Sequence, residues 1–237
     1  MSAAVAAPPA ATSRATDGSL AGLACAFDRS GALVFAEAGT LVVADLHLEK
    51  GSSFARRGAM LPPYDTGATL AALAEVVGHY APRRVVALGD SFHDRAGPGR
   101  LLPADRAALA ALAVGRDWTW VTGNHDPVLP PDLPGTVAAD ASLGPLVLRH
   151  HPRAGAAREL AGHLHPVAKV VLYGRGVRAR AFLTDGARCV LPAFGAYAGG
   201  LNACDRAFGP LFPGGFTAHV IGRNRLFAIP RSVLCGD

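Results

Sequence analysis

The sequence predicts an α/β protein in which two mixed sheets pack face to face with helices outside. Its first half alternates buried strands with amphipathic helices, and its second half reads almost entirely as strands. A further sign is that polar, metal-competent residues stand directly after the strands of the first half, where ligands gather in open sheets. With 237 residues, half of them apolar and 17% charged, and a mean hydropathy of +0.25, the chain is long enough for one buried core. That balance excludes global disorder. No apolar run reaches the roughly 18–20 residues of a membrane span.

Taken in order, residues 1–18 are rich in Ala, Pro, Ser and Thr and contain Pro8-Pro9. They lack a basic start followed by an apolar core, so they read as a disordered tail rather than a secretory signal. Residues 19–237 are expected to form a single domain. Thr40 to Ala44 is a buried strand ending on Asp45, and Thr66 to Tyr80 carries Leu70, Leu73, Ala74 and Val77 at helical spacing after Pro62-Pro63. Arg83 to Leu88 is the next strand and runs into Gly89-Asp90. Pro103 to Val114 is a helix. Asp117 to Thr122 is a third strand, with Trp118 and Trp120 on one face as core residues, and it leads into Gly123-Asn124. Beyond Leu143 the segments 146–149, 167–173, 177–183, 189–191, 217–221 and 226–229 are strand-like and separated by short turns, which predicts a mostly antiparallel sheet.

The formal net charge is +5, and Lys50 and Lys169 are the only lysines, so the cationic side is almost wholly arginine. This permits an anionic substrate without requiring one. The four cysteines form no C-x-x-C pair, which favours free thiols in a reducing, cytoplasmic setting.

Seven of the nine histidines fall in the strand-end segments or their second-half counterparts; His79 and His219 do not. Asp45, His47, Asp90, Asn124, His150, His163 and His165 offer seven oxygen and nitrogen donors with no thiolate. That set suits two divalent ions, manganese, iron or zinc, rather than an iron–sulfur cluster or a closed structural zinc. Two such ions bring four positive charges against two aspartates, a deficit that a phosphate and a hydroxide would fill. The chemistry this favours is phosphoester hydrolysis.

The ordered motifs Asp45-x-His47, Gly89-Asp90, Gly123-Asn124-His125-Asp126, His150 and Gly162-His163-x-His165 resemble those of the calcineurin-like metallophosphoesterases. Residues 45–51, 89–94, 161–166 and 191–200 are similar, more narrowly, to the bacterial ligase-associated DNA damage response phosphoesterases, distant relatives of the SbcD nuclease. The resemblance implies a four-layer metallophosphoesterase sandwich and a manganese-dependent nuclease of DNA repair, acting on DNA or nucleotide phosphodiesters with a DNA ligase and a helicase as partners. The alternatives are a phosphodiesterase or pyrophosphatase of small nucleotides and a metal-bound scaffold without turnover.

By the same resemblance Asp45, His47, Asp90 and His165 hold one metal, and Asp90, Asn124, His150 and His163 hold the other. His125 is then the general acid, with Asp126 orienting its imidazole. Here His151 follows His150 where the family often has an acidic residue, which leaves the choice between the two histidines open. If the strand continues extended, their side chains leave opposite faces and only one reaches a metal. Arg149, His93 and Tyr197 are the substrate-binding candidates, although strict alternation aims Arg149 away from the metals.

Overall fold

The computed structural model describes residues 13–237 apart from Tyr173. Seven strands lie side by side in chain order in the first sheet: β1 (Ala15–Leu20), β2 (Leu23–Asp28), β3 (Leu33–Phe35), β4 (Thr40–Val43), β5 (Arg84–Leu88), β6 (Asp117–Val121) and β7 (Thr136–Ala138). The first four pair antiparallel and the last four pair parallel. The links between the parallel strands carry α1 (Lys50–Ala55), α2 (Asp65–Tyr80) and α3 (Pro103–Ala113).

The second sheet contains β8 (Asp140–Leu143), β9 (Leu146–Arg149), β10 (Glu159–Ala161), β11 (Pro166–Leu172), β12 (Arg175–Thr184), β13 (Cys189–Val190) and β14 (Leu201–Asn202). Their spatial order is β14-β11-β12-β13-β10-β9-β8, and β15 (Thr217–Ile221) and β16 (Leu226–Pro230) extend from β12. Most of its pairs are antiparallel, as expected, but β10 runs parallel to both β9 and β13. This parallel patch presents the ends of β9 and β10 to the site.

Alternation along the parallel strands splits the core in two. Val42, Val86, Leu88 and Val121 face the second sheet, where they meet Leu146, Leu148, Leu160 and Phe182. Leu41, Val43, Val85, Ala87, Trp118 and Trp120 face the other way, onto Leu70, Leu73 and Val77 of α2 and Leu109 of α3. The two tryptophan rings are buried 5.3 Å apart, so they are core residues as expected. At roughly 25 cal/mol per Å² of buried apolar surface, these two seams supply the main driving force for folding.

One expectation needs correction. Residues 13–18 are not a tail: Arg14 pairs with Asp28 and Glu75, and β1 begins at Ala15 and pairs with β2 throughout, because a hairpin partner makes up for the low strand propensity of Ala-Thr-Asp-Gly. The rest of the expected tail, residues 1–12, lies outside the described residues. The fold class is as expected, with the α-helices packed on the first sheet. The outer face of the second sheet is closed among the described residues by turns and a short 3₁₀ segment carrying Phe208, Leu211 and Phe212. No described helix is long and apolar enough to cross a membrane.

Candidate metal centre

Three of the four parallel strands of the first sheet deliver candidate ligands from their carboxyl ends: β4 leads to Asp45 and His47, β5 to Asp90, and β6 to Asn124. From the facing sheet β9 leads to His150, and β10 to His163 and His165. The backbone turns sharply at these points. Asp45, His47, Asp90, His163 and His165 all have positive φ, between 44° and 70°. Non-glycine residues hold that conformation at a cost of on the order of 1–3 kcal/mol each, so the surrounding packing must over-determine them. Two glycines make room for the turns: a Cβ on Gly123 would lie 2.2 Å from Asp90 Oδ1, and one on Gly162 2.5 Å from Asp45 Oδ2.

The donors converge in two groups. In the first, His47 Nε2 and His165 Nε2 are 3.2 Å apart, and His165 Nε2 is 3.2 Å from Asp45 Oδ1. The other ring nitrogen of His47, Nδ1, is buried without a partner. In the second, His150 Nε2 lies 2.9 Å from Asn124 Oδ1 and 3.3 Å from Asp90 Oδ2. His150 Nδ1 donates to the Leu88 carbonyl at 2.9 Å, which leaves the neutral ring's Nε2 as a lone pair aimed at two more acceptors. Three acceptors pointed at one another need a proton or a cation between them. Oxygens of Asp45 and Asp90 and a nitrogen of His150 lie within 4.8 Å of one another, so carboxylates stand between the two groups. This buried nitrogen and oxygen set, without thiolate, fits divalent metal ions.

Charge follows the same division. Burial pushes the His47 imidazole down to about 3 with help from His165, and burial with His151 and His150 pushes His163 down to about 4. Both are therefore neutral at neutral pH, the state a metal requires. Burial alone would raise Asp90, but the hydrogen bond and charge of His150 and the His125 N–H hold it at about 2. Conversely, burial lowers His150, but Asp90 and Asp45 outweigh it and the net shift is upward.

His150 and His151 do not leave opposite faces. Extended structure ends at Arg149 and the chain bends, so the exposed His151 ring lies over His163, with centroids 4.0 Å apart, while His150 is buried against Asn124 and Asp90. Both remain within ligand distance of His163, but only His150 meets the oxygen donors.

His125 Nδ1 donates to the His93 carbonyl at 2.6 Å, which turns Nε2 toward the cleft, 4.0 Å from Asp90 Oδ2. The carboxylate of Asp126 does not orient that ring. It accepts the backbone N–H groups of Asp90 and Gly123 on Oδ1 and of Phe92 on Oδ2, each at 3.0 Å. Asp126 is thus a positioning residue for the Asp90 turn, and burial pushes its carboxyl up to about 6. Asp126→Ala would strand three buried donors and should cost on the order of 3 kcal/mol or more. The lost stability should appear as an earlier denaturant midpoint before any metal is added.

The substrate candidates divide. The His93 ring lies 5.4 Å from His47 and 5.2 Å from His125, with Nδ1 unpartnered, so it borders the centre. Arg149 does not: it faces Asp140 and Glu159, each at 3.7 Å, because the strand alternation aims it outward. Tyr197 enters through its backbone, with its carbonyl accepting Lys50 Nζ at 2.9 Å. Lys50, inside the 45–51 motif segment, stands at this edge as well and lowers the His93 pKa after burial has done so.

Against solved structures, the chain is similar to the Pseudomonas putida nuclease MPE, at 27% identity and a TM-score of 0.69 over 90% of this chain and all of that one. This chain has the calcineurin-like metallophosphoesterase fold. The E. coli phosphoesterase YfcE aligns over 82% of this chain and 98% of its own, at 17% identity and a TM-score of 0.40, too distant an overlap to add to the assignment. No family model and no curated protein matches the chain.

Proposed function

We propose that this metallophosphoesterase-fold chain is a metal-dependent phosphodiesterase, with manganese as the ion its motif resemblance implies, and that its substrate is DNA. The observation that carries the reading is the convergence of Asp45, Asp90 and His150 beside the Asp45, His47 and His165 group, with His125 Nε2 4.0 Å from Asp90 Oδ2. Similarity to a nuclease over nearly the whole chain supports a nucleic-acid substrate, and the motif resemblance supports DNA. Asp45, His47 and His165 would hold one ion, Asn124, His150 and His163 the other, and Asp90 both. Two such ions supply an activated water and a clamp on the attacking and leaving oxygens of an in-line displacement.

The chain itself supplies the proton. With Nδ1–H fixed on the His93 carbonyl, His125 directs Nε2 at whatever group lies over the Asp90 side of the centre, and a protonated Nε2 delivers its proton to the departing oxygen. His125→Ala should keep the full metal content and lose about 10²–10⁴-fold in rate on substrates with poor leaving groups. The loss should be far smaller on a nitrophenyl ester, whose leaving group needs no proton. Metal analysis and paired rate measurements check both halves; loss of metal would make His125 a ligand. The motif resemblance supports a place in DNA repair beside a ligase and a helicase. Turnover of single- and double-stranded DNA alongside a cyclic-nucleotide panel tests the substrate: cleavage confined to the small compounds would replace DNA, and no turnover at all would favour the scaffold.

A further inference from the structure

The segment 193–198 forms a wall with the metal centre on one side. The N–H groups of Phe194 and Gly195 donate to the carbonyls of Ala44 and Asp45, at 2.8 and 3.2 Å. On its other side lies a separate cavity of about 520 Å³, bordered by Phe194, Gly195, Ala196 and Ala198. That is within the roughly 300–1,000 Å³ of small-molecule sites.

The charged residues lining this cavity are Arg14, Arg29, Arg180, Arg223, Asp28 and Glu75, four cations against two carboxylates, a net +2. Arg14 engages both acids, with Nε 2.8 Å from Asp28 and Nη1 2.8 Å from Glu75. Asp28 also accepts the Tyr80 hydroxyl at 2.8 Å and the Ser30 N–H at 2.7 Å, so it has little capacity left for another arginine. Arg29, Arg180 and Arg223 have no carboxylate partner among the described residues, and neither residues 1–12 nor Tyr173 could supply one, since none is Asp or Glu. Arg180 donates only to the Ala193 carbonyl, at 2.9 Å, and burial pushes its guanidinium pKa down. Arg29 donates to the Arg223 carbonyl and keeps a buried Nε without any acceptor.

The half-buried Arg180 guanidinium and the unmet Arg29 Nε are costly unless an anion meets them, and the exposed Arg223 stands at the rim. Their forked geometry matches tetrahedral oxyanions in particular. We propose that this cavity is a phosphate-binding site distinct from the metal centre, formed by Arg29, Arg180 and Arg223. It would take either free phosphate or a phosphate of a nucleic-acid backbone. The proposal does not depend on the activity assigned to the metals.

Calorimetric titration of the full chain, with and without EDTA, tests it using inorganic phosphate and a short single-stranded oligonucleotide as probes. Saturable binding of at least one probe that survives EDTA is expected, with roughly tenfold or greater weakening in Arg29→Gln and in the rim variant Arg223→Gln. Circular dichroism and the unfolding midpoint establish that each variant is folded. Tighter, Arg223-dependent binding of the oligonucleotide identifies the backbone as the source, and binding of phosphate alone identifies the free ion. Absence of saturable binding by both probes, binding abolished by EDTA, or unchanged binding in both folded variants overturns the proposal.

Discussion

Asp90→Asn should release both metals and reduce turnover by roughly 10³-fold or more, beyond the 10–100-fold typical of outer-shell partners. One Asp90 oxygen lies 3.3 Å from His150 Nε2 and 4.0 Å from His125 Nε2, and the other accepts the His125 N–H at 2.8 Å. Asparagine preserves the shape but removes the charge from the one carboxylate proposed to serve both ions. Its amide N–H₂ also offers no lone pair to a metal ion where the carboxylate oxygen did. The variant should stay folded, since the Asp90 backbone N–H still meets Asp126. Two full equivalents of metal retained by the folded variant would remove Asp90 from the bridging role.

The second large effect separates the adjacent histidines. His150→Ala should deplete the metal held with Asn124 and nearly abolish turnover, whereas His151→Ala should retain both metals and change the rate only modestly. His150 is buried, with Nδ1 anchored on the Leu88 carbonyl and Nε2 among oxygen donors. His151 is exposed, and its neighbours at the centre are His150 and His163 rather than the oxygen donors. Equal metal loss in the two variants, or loss in His151→Ala alone, would transfer the ligand role. The raised His150 pKa adds a pH signature: a metal must displace its proton, so retention in wild type should fall as pH drops through that raised value. His47 and His163, already neutral far below it, should add nothing to that step.

What could be read from the sequence follows physical range. The convergence of Asp45, Asp90 and Asn124 was legible because parallel strands aim their carboxyl ends one way, and apolar runs at 40–44, 83–88 and 117–122 mark those strands. Strands β1 to β3 were not legible, since a hairpin stabilised by its partner leaves little pattern in Ala-Thr-Asp-Gly-Ser-Leu. Asp126 was misplaced because adjacency to His125 says nothing about direction; its carboxylate turns back to hold the next loop's amides. His151 was misdirected because the alternation argument presumes extended chain, and the strand stops one residue before His150. Arg149 followed alternation and so belongs to the ion pairs with Asp140 and Glu159, not to the cleft. The helix-free outer face of the second sheet depends on how 201–216 folds back, which no local periodicity records.

Anomalous diffraction from crystals of the full chain grown with manganese tests the central claim most directly. The account predicts two peaks roughly 3.5–4 Å apart. One should lie among Asp45, His47 and His165, the other among Asn124, His150 and His163, with Asp90 in contact with both. A single peak, or two peaks that do not share Asp90, would contradict it.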